Sequence, residues 1–237
     1  MTAVSPLAPP QLTFEPVKLR HTVQHQIYAA LRQALMSGRF EPGQVLTIDA
    51  LSRSFGVSHM PVREALRRLA AENALEQTVN GSQRVPTVTR QRLDDLFDAR
   101  IALETLATRR AAPKMDAAQL NALRAAVTAH ATVTAEEGIE ALLERNHAVH
   151  FIVYRASGSD VLPDLIEALW LRFGPYMRMV SQALAPELSA NGAANLSGHH
   201  HDLLAALLEG DGTGAAAAVE ADITTTCRTI RDLIGPS

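Results

Sequence analysis

A chain of 237 residues with 47% hydrophobic side chains and a formal charge of −3 can bury a full core in one large or two small domains. Its single cysteine, Cys227, excludes an internal disulfide framework and fits a reducing compartment. No run of about eighteen apolar residues is present to span a membrane, and the opening MTAVSPLAPPQL lacks the basic start and apolar centre of a signal peptide, so a cytoplasmic protein with no membrane partner is expected.

Residues 1–16 form a proline-rich arm with Pro6, Pro9, Pro10 and Pro16, expected to be flexible. A first helix is expected from about Lys18 to Ser37, with Leu19, Val23, Ile27, Leu31, Ala34 and Leu35 on one face and Gly38 after it. The next stretch, LTIDALSRSFGVSHMPVREALRRL at residues 46–69, reads as two short helices. The first carries Ile48, Leu51 and Phe55 on one face, and Gly56 ends it because a residue without Cβ accepts the left-handed conformation. Val57 plugs the core between the helices, Ser58 is a natural N-cap, and Pro61 sits in the first turn, where a missing N–H costs nothing. The second helix buries Val62, Leu66 and Leu69 and turns Arg63, Arg67 and Arg68 outward.

A short helix, a turn and a basic second helix make a helix-turn-helix, whose second helix enters the major groove. Arg63 is expected to reach a base edge or phosphate, with Ser58, His59, Met60 and Pro61 at the helix start and Arg67 one turn on. Leu75–Val79 and Gln83–Val88 then read as strands around Asn80–Gly81, a hairpin signal and hence a wing. On it Gly81 and Arg84 are candidate DNA contacts, although Arg84 can equally be a solvated edge charge. Charge divides accordingly: residues 1–90 hold ten Lys/Arg and six Asp/Glu, whereas residues 91–237 hold twelve and nineteen. A basic head on an acidic body suits a DNA-binding unit joined to one that does not bind DNA.

From Thr89 the period becomes helical throughout. Helices are expected at about 90–112, 116–134, 138–157, 160–184, 195–209 and 214–234, with breaks at Pro113, Gly138, Gly158–Ser159, the Pro186–Gly192 stretch and Gly210–Gly214. Gly174–Pro175 predicts a kink. The run GDGTG joins two helices and follows no strand, so it reads as a linker rather than a nucleotide loop. The predicted fold class is mainly α, with a winged head over residues 17–88 and an all-helical body over 89–237.

Polar residues inside the apolar stripes of that body are the informative ones. At 100° per residue, Asn146 and His150 fall within the stripe of Ile139, Leu142, Leu143, Val149 and Val153. His200 falls among Leu196, Leu203, Leu204, Leu207 and Leu208, and Asp222 among Ala215, Ala218, Val219, Thr226 and Leu233. Arg100 and Glu104 sit among Leu93, Leu96, Phe97, Leu103 and Ala107. Buried polar groups are costly unless partnered, so four helices turning them inward predict one shared polar cavity. Asn146, His150, His200 and Asp222 are types that hold a borderline metal, with His147 and His201 at the stripe edges as substitutes. Each histidine alone can instead be a hydrogen-bonded core residue.

GVSHMPVREALRRL resembles the recognition segment of the GntR family of bacterial transcription regulators, which usually reads GVSRxPVREALxRL. FEPGQVL before it and Asn80–Gly81 after it also suit that family's winged domain. His59 stands where the family commonly has Arg, and Asp49 stands in a stretch that often carries a DNA-contacting Arg. The body pieces DARIALETLA, NHAVHFIVYRASGS and HHHDLLAALLEGD resemble the FadR-like branch, whose helical C-terminal (FCD-type) domain binds effectors. That resemblance implies a divalent metal (zinc, nickel or manganese) at positions matching Asn146, His150, His200 and Asp222, the family's first Asp being Asn here and its last His being Asp. It implies also a small organic acid held by Arg100, although Glu104, one turn on, can instead simply neutralise that charge; Arg172, Tyr176 and Arg178, on the kinked helix, are further candidates for the same cavity. The expected protein is a homodimeric, ligand-responsive regulator on an inverted-repeat operator. A metal-dependent hydrolase and a constitutive DNA binder are the alternatives. No HExxH motif is present, Cys227 lies off its apolar stripe, and a winged head serves no hydrolase.

Overall fold

Three rows of leucine-like spacing build the head. In the computed structural model, which describes residues 23–234, helix α1 (Val23–Met36) buries Ile27, Tyr28, Leu31 and Leu35. The arm at 1–16 and the helix start at Lys18 lie outside the described residues. Helix α2 (Ile48–Phe55) is capped by Thr47, whose hydroxyl accepts from the Ala50 amide, and closes on Gly56 at φ 66°. Helix α3 (His59–Ala71) buries Val62, Ala65, Leu66 and Leu69. Ser58 occupies the N-cap position of α3, but its hydroxyl makes no capping hydrogen bond.

Strands β1 (Val45–Leu46), β2 (Glu76–Gln77) and β3 (Gln83–Arg84) form an antiparallel sheet in the order β1-β3-β2. Both hairpin strands are shorter than the sequence suggests. β1 was not expected, because two residues are too few to display a period of two. The wing loop holds three residues rather than two. Thr78 N–H donates to Ser82 O at 2.8 Å, Gly81 N–H donates to Thr78 O, and Gly81 takes φ 79°, as in a turn closed by a left-handed glycine.

The body is six helices: α4 (Arg90–Ala111), α5 (Ala117–Ala131), α6 (Gly138–Arg155), α7 (Leu162–Asn191), α8 (Gly198–Leu208) and α9 (Gly212–Ile234). Thr89 caps α4, and Asp116 with Gln119 forms a full capping box on α5. Helix α4 packs along α9 and α7, and α8 packs on α9. Helix α7 is longer than expected: it continues unbroken through Pro175 and Pro186 and ends only before Gly192. An interior proline costs about 3 kcal/mol. The buried α7 side chains Ile166, Trp170, Phe173, Tyr176, Val180 and Leu188 each contribute about 1.5–3 kcal/mol, so packing outweighs the cost of both prolines, and the break expected at Pro186 does not occur. Among the described residues no helix is long and apolar enough to cross a membrane.

Head and body meet along α1 and α7. Leu171 of α7 belongs to the head's apolar core. A Cβ on Gly174 would stand 2.4 Å from Leu35 O, and one on Gly38 2.6 Å from Arg178 N; glycine is what allows this approach. Ion pairs Arg32–Glu167 at 2.9 Å, Arg39–Glu140 at 2.5 Å and Arg178–Glu41 at 2.6 Å flank the contact.

Candidate functional site

Two surfaces carry chemistry. The first is a groove on the head between α3, the start of α2 and the wing, reached by Thr47, Asp49, Arg63, Arg67, Asn80 and Gly81. Ser58, His59 and Met60 border a second concavity that also includes Arg63. Arg67 pairs with Glu64 at 3.3 Å, and Arg68 pairs with Glu72 while covering the Tyr28 ring at 3.7 Å. Arg63 is exposed and has no hydrogen bond or ion pair among the described residues. Arg84 pairs with Glu76, its cross-strand neighbour, which also takes Arg92. His59 and Asp49, the two positions that depart from the family's pattern, lie 3.1 Å apart.

The second is a cavity of about 310 Å³ inside the body. Its apolar wall is one face of α7, through Trp170, Phe173, Met177, Val180 and Leu184. Arg100, Asn146 and Asp222 enter it from α4, α6 and α9. His150 and His200 are buried beside Asp222: His150 Nε2 lies 3.3 Å from Asp222 Oδ2 and 3.3 Å from His200 Nε2. One ligand atom from each of the three lies within 4.8 Å of the others.

The protons around His150 can be placed by elimination. As a carboxylate, Glu104 only accepts; it receives Arg100 Nε–H at 2.6 Å, Trp170 Nε1–H at 3.0 Å and the Tyr154 hydroxyl at 2.5 Å. The single Tyr154 proton is thereby committed, so at 2.9 Å His150 Nδ1–H must donate to the Tyr154 oxygen. A neutral His150 therefore has a bare Nε2, facing a carboxylate oxygen and a second imidazole nitrogen. Either a second proton lies on His150, or a cation gathers these lone pairs. Two ligands about 2.0–2.1 Å from a tetrahedral ion stand about 3.3–3.4 Å apart, which matches the two separations made by His150; the third pair, His200 and Asp222, lies within 4.8 Å and would draw together on an ion. The donor set, imidazole nitrogen with carboxylate and amide oxygen, suits a borderline divalent ion.

Burial sets the charge states. It pushes His200 down to about 3 and His130 to about 4, in each case helped by the charge of His150. It pushes His147 down to about 4. Burial alone would raise the Asp222 carboxyl, but the hydrogen bond and charge of His150, with His200 and Arg100, hold it below the ordinary carboxylate range. Burial would likewise lower Arg100, and Glu104 more than offsets it.

Arg172, Tyr176 and Arg178 do not line the cavity. The cavity face of α7 repeats at residues 170, 173, 177, 180 and 184, and at 100° per residue these three fall off it. Tyr176 donates to Thr89 O at 3.0 Å, at the start of α4, and Arg178 pairs with Glu41 of the head. Glu104 is fully buried behind Arg100. His147 stacks on Phe151 at 4.1 Å, and His201 is exposed with Nδ1 near Ser197 O; neither joins the cluster. The sequence reading passed over His130, Tyr154 and Trp170. His130 follows Leu123 and Val127 on the buried face of α5, so the stripe test that singled out His150 would have found it.

Residues 95–225 match the model of the FCD domain, and residues 23–85 match that of bacterial regulatory proteins, gntR family. The chain is 30% identical over 201 residues to the HTH-type transcriptional regulator McbR of Escherichia coli strain K12, covering 83% of this chain and 88% of that one. It is 27% identical over 147 residues to the HTH-type transcriptional repressor GlaR of the same strain, covering 60% of this chain and 67% of GlaR. The solved structure of E. coli McbR/YncC superposes with a TM-score of 0.83 at 27% identity, over 91% of this chain and all of that one (100%).

Proposed function

This chain belongs to the GntR family of bacterial regulatory proteins, with an FCD domain behind its winged head, and on that premise we propose a homodimeric, cytoplasmic repressor whose grip on operator DNA is set by a small carboxylate bound at a divalent metal. Repression is the sense in which the relative GlaR is named. The observation that carries the effector half is the convergence of three lone-pair donors, His150 Nε2, His200 Nε2 and Asp222 Oδ2, at the polar end of a buried cavity. These residues, with Asn146 one turn before His150, would hold zinc, nickel or manganese. The ion would supply a Lewis-acid anchor for a carboxylate. Arg100, on the same wall, offers that carboxylate a planar guanidinium.

Metal analysis of protein purified without chelator or nickel resin tests this directly. Wild type is expected to carry metal, and His150→Ala/His200→Ala to carry none. Binding needs neutral imidazoles, and burial keeps His200 neutral down to about 3, so that ligand should stay available well below the ordinary imidazole range. Equal metal in wild type and double variant would sink the proposal.

On the head, one recognition helix reads only a few base pairs, so a dimer should bind an inverted repeat. Ser58, His59, Met60, Pro61 and Arg63 at the start of α3, with Arg67, Gly81 and Arg84 around them, form the proposed contact surface. Arg63→Ala is expected to weaken operator binding by about 1–3 kcal/mol, or roughly 5- to 150-fold. Arg68→Ala, already held by Glu72 and Tyr28, should lose far less. A gel-shift titration in which Arg63→Ala binds like wild type would remove Arg63 from the interface.

A further inference from the structure

His130, in the last turn of α5, is 3% exposed and lines the cavity, its ring edge-on to His200 with centroids 4.5 Å apart. Its tautomer follows from its neighbours. Ser197 Oγ lies 2.9 Å from Ala193 O, and a carbonyl only accepts, so the hydroxyl's one proton points there. Oγ is also 2.7 Å from His130 Nδ1. With its proton committed, this oxygen can only accept, and Nδ1–H must donate. In the neutral ring Nε2 is then a bare lone pair; among the described residues the ring's hydrogen bond is made through Nδ1 alone, and Nε2 is left open on the cavity side. His130 also stands outside the trio whose ligand atoms gather within 4.8 Å. It is therefore an acceptor beside the candidate metal rather than one of its ligands.

We propose that His130 reads the effector: Nε2 accepts a hydrogen bond from a ligand hydroxyl, which makes the effector a hydroxy acid rather than a plain carboxylic acid. An acceptor on a cavity wall that a ligand closes off from water discriminates against ligands that leave it unpaired. The donor is a neutral hydroxyl because an ammonium would place its charge beside Arg100 and the metal. Ser197 is the lock. It is fully buried and immediately precedes α8, whose third residue is His200, so one turn of chain aims both imidazoles. This inference rests on the carboxylate reading above and narrows it.

The test compares affinities of the full-length, metal-loaded protein for matched short 2-hydroxy acids and their deoxy counterparts. The same pairs are repeated as neutral amides, and wild type, His130→Phe and Ser197→Ala are measured alongside. Wild type is expected to prefer the hydroxylated member by about tenfold. His130→Phe should retain metal and lose the preference, and Ser197→Ala, which frees the tautomer without touching the cavity, should reduce it. Histidine ¹⁵N spectra of wild type should show His130 protonated at Nδ1 and bare at Nε2. A preference that survives in His130→Phe, loss of metal in that variant, a proton on Nε2, or no binding by any probe would each overturn the proposal. If only the amides bind, with the preference lost in His130→Phe, the carboxylate reading fails and the role of His130 stands. Should His130→Phe not fold, the wild-type tautomer and the Ser197→Ala preference decide.

Discussion

Glu104→Ala is expected to be among the most damaging single substitutions in the body, lowering unfolding stability by about 3–5 kcal/mol. Glu104 is 0% exposed and accepts from Arg100, Trp170 and Tyr154. Its removal would leave a guanidinium that is 5% exposed without its counter-charge, and two further donors without an acceptor. Against a total of about 5–15 kcal/mol for a folded domain, that is a large share. Arg100→Met/Glu104→Leu should recover the part of the loss due to the stranded guanidinium, because apolar side chains of similar volume need no partner, but not the part due to Trp170 and Tyr154. Urea titrations of the three proteins check this. A Glu104→Ala protein as stable as wild type would mean that water reaches Arg100 and that the network is decorative.

Acid should weaken the fold well above the range where carboxylates protonate. His130, His147 and His200 titrate at about 4, 4 and 3 in the folded chain, against about 6.5 when unfolded. The folded state thus binds fewer protons, and the stability these groups permit is complete above about pH 6.5 and lost as pH falls from there toward 4. Each contributes a slope of up to about 1.4 kcal/mol per pH unit within that window, or about 4 kcal/mol per unit if all three act. His200 is already deprotonated in the folded chain across this range, so a metal bound there should raise stability without steepening its fall. The measurement is denaturant unfolding between pH 7.5 and 5 with and without chelator. A flat profile across that range would show that these imidazoles are hydrated in the folded chain.

What could be read in the sequence was what repeats locally. The helices of the head announce themselves through Ile48, Leu51 and Phe55, through Val62, Leu66 and Leu69, and through Gly56 between them. Interior polar residues also declare themselves by falling in an apolar stripe: Asn146, Asp222 and Arg100 line one cavity, and His150 and His200 lie buried beside Asp222. Which helix faces which neighbour is not local, and there the sequence is mute. Nothing near Arg84 says that Glu76 waits across the strand. Nothing near Tyr176 or Arg178 says that the cap of α4 and the head, not the cavity, take those side chains. Pro186 reads as a break because propensity counts the missing N–H and not the burial of Leu188 beyond it.

The two glycines at the seam limit how this protein can be recombined. Gly38 belongs to the head and Gly174 to the middle of α7, and each lets the other's segment approach to a distance that no Cβ would tolerate. A hybrid regulator made by cutting at the linker near Val88 would separate these partners, bringing a foreign head against a helix shaped for this one. The exchangeable unit is therefore discontinuous: the winged head together with the Glu167–Arg178 stretch of α7, which carries Leu171, Gly174 and the ion-pairing partners of Arg32 and Glu41. Chimeras that transplant both segments should keep the packing of α7 against the new head, whereas those that transplant the head alone should lose it and unfold more readily at the seam.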